Sequence, residues 1–310
     1  MEAAELTEHP ARAAVSIANA PCSYGAFEET IGVDPLVPDA VALLDQVAAA
    51  GYAGIDLGPV GYLGNVEELP ARLADRRLAL AGGFMPLSFG DRHRLADEIG
   101  QLDALLDTFD AAGSSACRPR PTLAGTTPPH ARLGPSGTAR WSLAEWRAYA
   151  DGVSTASERC RKRGYEPTFH HHIGTEIETP EQIDQLLSLT DVGLCLDTGH
   201  LAVAGGDPLE AVRSWGPRIN HVHMKDADMH ALASLEAERA PVDDLWRGQV
   251  FVALGDGGLE CGRFLAALGE IAYRGWIVVE QDIFPQRGPL ADKVRLDQER
   301  SREFLTRYGL

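Results

Sequence analysis

The residues able to hold a metal ion or move a proton are concentrated in one stretch of this 310-residue chain: seven of its ten histidines lie between His170 and His230. They fall at the ends of short apolar runs. One run ends in His170, His171 and His172. A second ends in Asp197, followed by Thr198, Gly199 and His200. A third carries His221, His223 and Lys225, followed by Asp226, and a fourth reaches Glu280, followed by Asp282. Strand side chains alternate between faces, so His170 and His172 share a face, as do His221, His223 and Lys225. His171 faces the other way and reads as structural. Two neutral imidazoles with two carboxylates suit one divalent ion, with Mn, Co, Fe, Zn or Mg all admissible. His9, His93 and His130 have no partners in sequence and read as solvated, as do Glu28 and Glu29. Asp256 and Glu260 belong to a GDGGLE turn that shapes a loop.

Such groups need a scaffold that brings four strand ends together. Eight runs read as strands: Val15–Asn19, Ala53–Leu57, Leu78–Phe84, Ser114–Arg118, Glu166–His172, Gly193–Asp197, His221–Lys225 and Trp276–Gln281. Helical spacing occupies Val41–Ala50, Leu95–Ala112, Leu143–Arg163, Thr179–Leu189, Pro208–Trp215 and Cys261–Tyr273. Gly51, Gly113, Gly164 and Gly275 stand where a helix gives way to a strand and a left-handed residue is wanted. Alternating strands and helices make a parallel sheet, open or closed, and no GxGxxG follows the first strand to mark the dinucleotide-binding form. A single closed (β/α)8 barrel over residues 1–310 is expected, with 1–13 as a loosely packed arm. The runs Arg118–Gly137 and Ala227–Gly257 read as long loops on its active face.

Composition narrows the function. The formal charge of −17 argues against nucleic acid or anionic lipid as a partner. No run approaches the roughly 20 apolar residues of a membrane span, and the acidic start lacks the pattern of a signal peptide. Five scattered cysteines without a C-x-x-C point to a reducing cytoplasm rather than a disulfide framework.

The segments D-T-G-H (Asp197–His200), H-V-H-M-K-D (His221–Asp226), G-D-G-G-L-E (Gly255–Glu260) and G-W-I-V-V-E (Gly275–Glu280), in that order, resemble the xylose-isomerase-like barrel superfamily. The group includes sugar isomerases and epimerases, inosose and dehydroshikimate dehydratases and endonuclease IV. H-H-H-I-G-T-E-I-E-T ahead of the D-T-G-H segment is most similar to inosose dehydratases, which act on 2-keto-myo-inositol. The resemblance implies a metal held at the ends of strands five to eight by Asp197, His223, Glu280 and a fifth-strand residue. That residue is usually glutamate. The Gly174 anchor puts His170 there, with His172, Glu176 and Glu178 as substitutes. The extra ligands of the endonuclease branch are matched only loosely, by Asp228–His230.

A metal chelated by adjacent oxygens of a hydroxyketone would stabilise the enediolate left by loss of the α proton. Return of that proton gives an epimer or an isomer, and expulsion of the β-hydroxyl gives a dehydrated product. A positioned base contributes about 10²–10⁴-fold; the candidates are His200, His172 and Glu178. Lys225 could orient the substrate or stabilise developing negative charge, its alternative being a surface pair with Asp226. The expectation is a dehydratase of a polyol ketone or keto-sugar, working as a homo-oligomer. The alternatives are an isomerase or epimerase on the same site, or a barrel subunit that needs a partner chain.

Overall fold

The strands find their places in a closed ladder. The computed structural model describes residues 15–113, 117–128, 131–133, 141–284 and 290–310. The expected N-terminal arm, His9 and His130 lie outside these. The strands are β1 (Val15–Asn19), β2 (Gly54–Asp56), β3 (Ala79–Pro86), β4 (Arg120–Ala124), β5 (Thr168–His170), β6 (Gly193–Asp197), β7 (Ile219–Met224), β8 (Asp226–Ala227), β9 (Phe251–Val252) and β10 (Gly275–Val279). β8 and β9 form a small antiparallel ribbon; the other eight close in the order β1-β10-β7-β6-β5-β4-β3-β2, every neighbour parallel. This is a single (β/α)8 TIM barrel.

The helices are α1 (Ala40–Ala49), α2 (Leu69–Ala74), α3 (Arg92–Ala112), α4 (Leu143–Lys162), α5 (Pro180–Leu189), α6 (Thr198–Val203), α7 (Pro208–Trp215), α8 (Met229–Ala237), α9 (Asp244–Arg247), α10 (Cys261–Glu270) and α11 (Leu290–Arg307). Local chemistry starts several of them. Thr179 and Gln182 form a reciprocal capping box at α5, behind which Pro180 fills the first turn, and Ser142 with Glu145 does the same at α4. Gly51, Gly113, Gly164 and Gly275 all have positive φ, at 87°, 82°, 81° and 134°. Inward faces then supply the core: Leu43, Leu44 and Val47 of α1, Leu102, Leu105, Leu106 and Phe109 of α3, and Val153, Ala156 and Cys160 of α4 are buried against the barrel. At Gly152, α4 comes so close that a Cβ would lie 2.2 Å from the Phe89 carbonyl oxygen.

Three expectations need correction. The fourth strand is not Ser114–Arg118, part of which lies outside the described residues; it is Arg120–Ala124, inside the segment expected to be loop. Pro119 and Pro121, which lack an N–H, count against a strand there, yet the ladder accepts Pro121 opposite Gly83. The segment expected as the loop Ala227–Gly257 contains α8, α9, β9 and part of β8. It carries an apolar cluster of its own, with Leu232, Val242, Leu245, Trp246, Val250 and Phe251 packed over Ile173 and Val203. Finally, α2, α6 and α11 lie outside the stretches expected to be helical.

Register positions the site. Between β6 and β7 the pairing runs Leu194 with Ile219 and then Cys195 with His221, skipping Asn220. This bulge sets Asp197 opposite His223 instead of Val222. Gly193 makes room for the skipped residue, since a Cβ there would lie 2.1 Å from Asn220 Nδ2. The Asn220 amide donates to the Pro167 carbonyl at 3.0 Å. Among the described residues no helix is long and apolar enough to cross a membrane.

Candidate metal and proton-transfer site

Four neighbouring strands, β5, β6, β7 and β10, end at one corner of the barrel mouth. His170 closes β5, Asp197 closes β6, His223 lies in β7, and Glu280 follows β10, its N–H donating to the Met224 carbonyl at 3.1 Å. All four are buried. His170 Nε2 is 3.2 Å from Asp197 Oδ2, and His223 Nδ1 is 3.1 Å from Glu280 Oε2 and 3.8 Å from Asp197 Oδ2. Lys225 reaches into the same space. Its ammonium is 2.6 Å from Asp197 Oδ2, in contact with Glu280 Oε2, and 3.5 Å from Asp282 Oδ2. A cation centre thus sits where the carboxylate oxygens meet, with two imidazole nitrogens beside them. The donor set fits a divalent ion of borderline softness.

Lys225 does not pair with Asp226, contrary to the alternative drawn from sequence. Asp226 instead grips the GDGGLE turn: Oδ1 accepts from the amides of Ala227 (2.9 Å) and Leu259 (3.0 Å), and Oδ2 from those of Gly255 (2.9 Å) and Gly257 (3.0 Å). The turn's own acids face arginines at the surface, Asp256 on Arg300 and Glu260 on Arg263.

A second group lies beside the first. The His172 and His200 rings stand 3.9 Å apart, centroid to centroid, with Trp246 stacked 6.3 Å from His172. The ring nitrogens of His172 and His200 and a carboxylate oxygen of Asp282 lie within 4.8 Å of one another. His172 Nδ1 is 2.9 Å from the Ile173 carbonyl. A carbonyl only accepts, so Nδ1 carries the proton and Nε2 keeps its lone pair. Neither ring nitrogen of His200 is bonded to protein; Nε2 is 3.4 Å from Asp282 Oδ2, and the backbone N–H caps onto Asp197 Oδ1 at 2.8 Å. Phe251 presents its face to Lys225 at 6.0 Å and packs edge-on against His200 at 5.8 Å.

Other residues prove peripheral. His171 is buried on the opposite face, where Nε2 accepts the Asp197 N–H at 3.2 Å. Glu178 accepts from the Gly174 amide at 2.8 Å and so ties down its own turn, and Glu176 accepts from Thr126 at 3.2 Å. Of the fifth-strand candidates, His170 is therefore the one set against Asp197. His93, His230, Glu28 and Glu29 are exposed. Asp56 and Asp282 joined the site without any role drawn from sequence. Asp56 ends β2, far from the motifs, and Asp282 stands one residue past a recognised strand end.

Burial and charge set the protonation states. Burial alone would push the Lys225 ammonium down, but Asp197, Asp282 and Glu280 together hold its pKa well above the usual value. Burial penalises the Asp197 carboxylate, but the Lys225 ammonium holds its pKa well below the usual range, and Glu280 is lowered by His223 and Lys225 against the same penalty. Burial pushes Asp282 up to about 6. It pushes His170 and His200 well below their usual value and His172 down to about 4, leaving these imidazoles neutral at pH 7. Neutral imidazole is the form that ligates a metal or accepts a proton.

Fold and site define a TIM-barrel protein with a carboxylate–imidazole centre at the C-terminal mouth of its strands. Residues 44–304 match the xylose isomerase-like TIM barrel family, and the chain belongs to it. It is 30% identical over 251 residues to the inosose dehydratase of Geobacillus kaustophilus (strain HTA426), covering 78% of this chain and 80% of that one. Among solved structures, the probable 3-DHS dehydratase AsbF from Bacillus anthracis superposes with a TM-score of 0.66 at 15% identity, over 94% of this chain and 98% of that one. The zinc-bound IOLI protein gives a TM-score of 0.66 at 14% identity, over 94% and 96%. At these identities the two structures bear on the fold alone.

Proposed function

We propose that this protein is a metal-dependent dehydratase that removes water from a cyclic polyol ketone, with 2-keto-myo-inositol as the leading substrate. The observation that carries the reading is the convergence of Asp197, Glu280, His170 and His223 on one cation position, beside the paired imidazoles of His172 and His200. The inosose dehydratase relative supports the substrate class.

On this reading the four residues would hold one divalent ion, which would supply Lewis acidity at the substrate carbonyl. Lys225 would then give up its place between the carboxylates, with Asp282, now 3.5 Å away, as its remaining partner. There it offers positive charge to a developing oxyanion. His172, with Nε2 bare, is placed to take the proton from the carbon next to the ketone. His172 then passes that proton to the hydroxyl leaving the next carbon, to which neutral His200, beside Asp282, is placed to donate a hydrogen bond. One C–H and one C–O bond break, one water departs, and no electron acceptor is needed. Glu178 acts by holding the turn that carries His172. We further propose that the ion is Mn, Co, Zn or Mg, and that the enzyme is a homo-oligomer of the cytoplasm. Five free cysteines fit a reducing compartment.

The test is metal-loaded protein with 2-keto-myo-inositol in deuterated water. A dehydratase releases water and yields the enol of a 1,2-diketone, absorbing in the near ultraviolet. Solvent label in an unchanged carbon skeleton, without that absorbance, would assign an isomerase or epimerase. No reaction with inosose, ketohexoses or dehydroshikimate would favour a subunit that needs a partner.

A further inference from the structure

His223 has two ring nitrogens and three acidic neighbours. Nδ1 faces Glu280 and Asp197, the side on which the ion is placed above. Nε2 faces the other way, toward Asp56 Oδ2 at 3.9 Å. We infer that Asp56 is the positioning residue of His223: it accepts a hydrogen bond from Nε2–H and so fixes the tautomer that turns the Nδ1 lone pair to the metal. This rests on the metal reading of the site.

Several features of the barrel wall converge on Asp56. It is 4% exposed, and Oδ2 makes no hydrogen bond, so a charged oxygen is held in the interior with a histidine N–H as its available partner. The neighbouring strand leaves space for it, since a Cβ on Gly82 would lie 2.9 Å from Asp56 Oδ2. A buried acceptor with no donor costs about 1–3 kcal/mol or more, which a turn of the His223 ring toward Asp56 relieves. A ligating histidine that gives its second N–H to a carboxylate is more basic and better oriented. Loss of such a partner typically weakens metal binding by about 10–100-fold.

His221 lies one pleat along the same strand, its ring 5.2 Å from that of His223, and neither of its nitrogens is bonded to protein. Asp56, His221 and His223 bring ligand atoms within 4.8 Å of one another. The competing role for Asp56 is therefore ligation of a second ion. The geometry favours positioning, because Nδ1 of His223 is turned to Glu280 and Nε2 to Asp56, with the Cys195 thiol as a further contact of the ring.

Cobalt(II) titration of wild type, Asp56→Asn, Gly82→Ala and His223→Ala separates these roles. It is followed by visible absorption and by the metal content of folded protein. Wild type should take one ion, and His223→Ala should lose it or bind it far more weakly. Asp56→Asn should still take one ion, about 10–100-fold more weakly and with a shifted visible band, while its metal-free thermal midpoint stays near that of wild type. Gly82→Ala displaces the carboxylate without removing a polar group and should weaken binding in the same direction. Wild-type affinity with an unchanged band in both Asp56→Asn and Gly82→Ala would overturn the positioning role. So would two ions in wild type falling to one in Asp56→Asn, which would make Asp56 a ligand. Failure of wild type to bind cobalt would instead overturn the metal reading itself.

Discussion

Replacing Asp226 by asparagine should destabilise the protein without touching the proposed metal ligands. The carboxylate accepts four backbone amides, two on each oxygen, at 2.9–3.0 Å. Asparagine keeps one oxygen and sets an NH2 group against the two amides at the other. Hydrogen bonds to a charged acceptor are worth about 1.5–3 kcal/mol each, and an amide left facing a donor adds its desolvation cost. Gly255 lies at the surface, where water can replace part of the loss. The sum is a loss of about 2–4 kcal/mol, or a fall in melting temperature of about 4–8 °C at roughly 2 °C per kcal/mol for a chain of this size. Asp226→Ala removes all four acceptor contacts and should cost more than Asp226→Asn. Urea unfolding at pH 7, read by tryptophan fluorescence and by circular dichroism, measures both. Because the turn anchors the insert that carries Trp246 and Phe251, the Asn variant should also show weaker substrate binding. An Asn variant within about 0.5 kcal/mol of wild type, the ordinary range for an uninvolved surface position, would show that the turn holds without its anion.

Asp197→Ala should purify folded and without bound metal; unchanged metal stoichiometry would remove Asp197 from the ligand set. His200→Gln should keep metal and fold while turnover falls about 10²–10⁴-fold, and full activity would reduce His200 to a packing residue. Gly152→Ala, a change that usually favours a helix by up to about 1 kcal/mol, should here lower the melting temperature, since its Cβ would meet the Phe89 carbonyl at 2.2 Å. For pH, burial holds the His171 pKa down at about 4 in the folded protein, against about 6.5 when unfolded. The unfolded chain binds the extra proton between these values, so the contribution is complete above pH 6.5 and is lost as pH falls toward 4. It amounts to about 3 kcal/mol. The stability of His171→Gln should therefore fall less between pH 7 and pH 5 than that of wild type, and parallel pH profiles would contradict this.

The parts of the molecule that showed in its sequence are those with a local pattern. β1, β6 and α7 begin and end where apolar runs and caps place them, and the four strand ends of the site were visible because histidines and carboxylates interrupt apolar strands. β4 was hidden by prolines that a closed ladder tolerates. The insert between β7 and β10 was hidden because its strands are two residues long and α8 buries little besides Leu232. Asp56 was invisible for a different reason. A lone acid at the end of a three-residue strand acquires meaning only when β7 is brought across the barrel to face it. That pairing is a property of closure, and no window of neighbouring residues contains it.

The skipped Asn220 has a consequence for how this barrel can change. A strand has a side-chain period of two, so a shift of one residue exchanges its inner and outer faces. Drawing Asn220 into the ladder opposite Cys195 would present Val222, in place of His223, to Asp197, whereas deleting Asn220 would leave Asp197 opposite His223 and turn Ile219 to the other face. The site is thus built on a one-residue insertion, and its identity depends on counting as much as on composition. Point substitutions can tune the mouth by degrees. A single-codon deletion of Val222, beyond the bulge, would bring Met224 opposite Asp197 and erase the centre in one event, and reinsertion at the same place would restore it, so intermediates between the two states of the ladder do not exist.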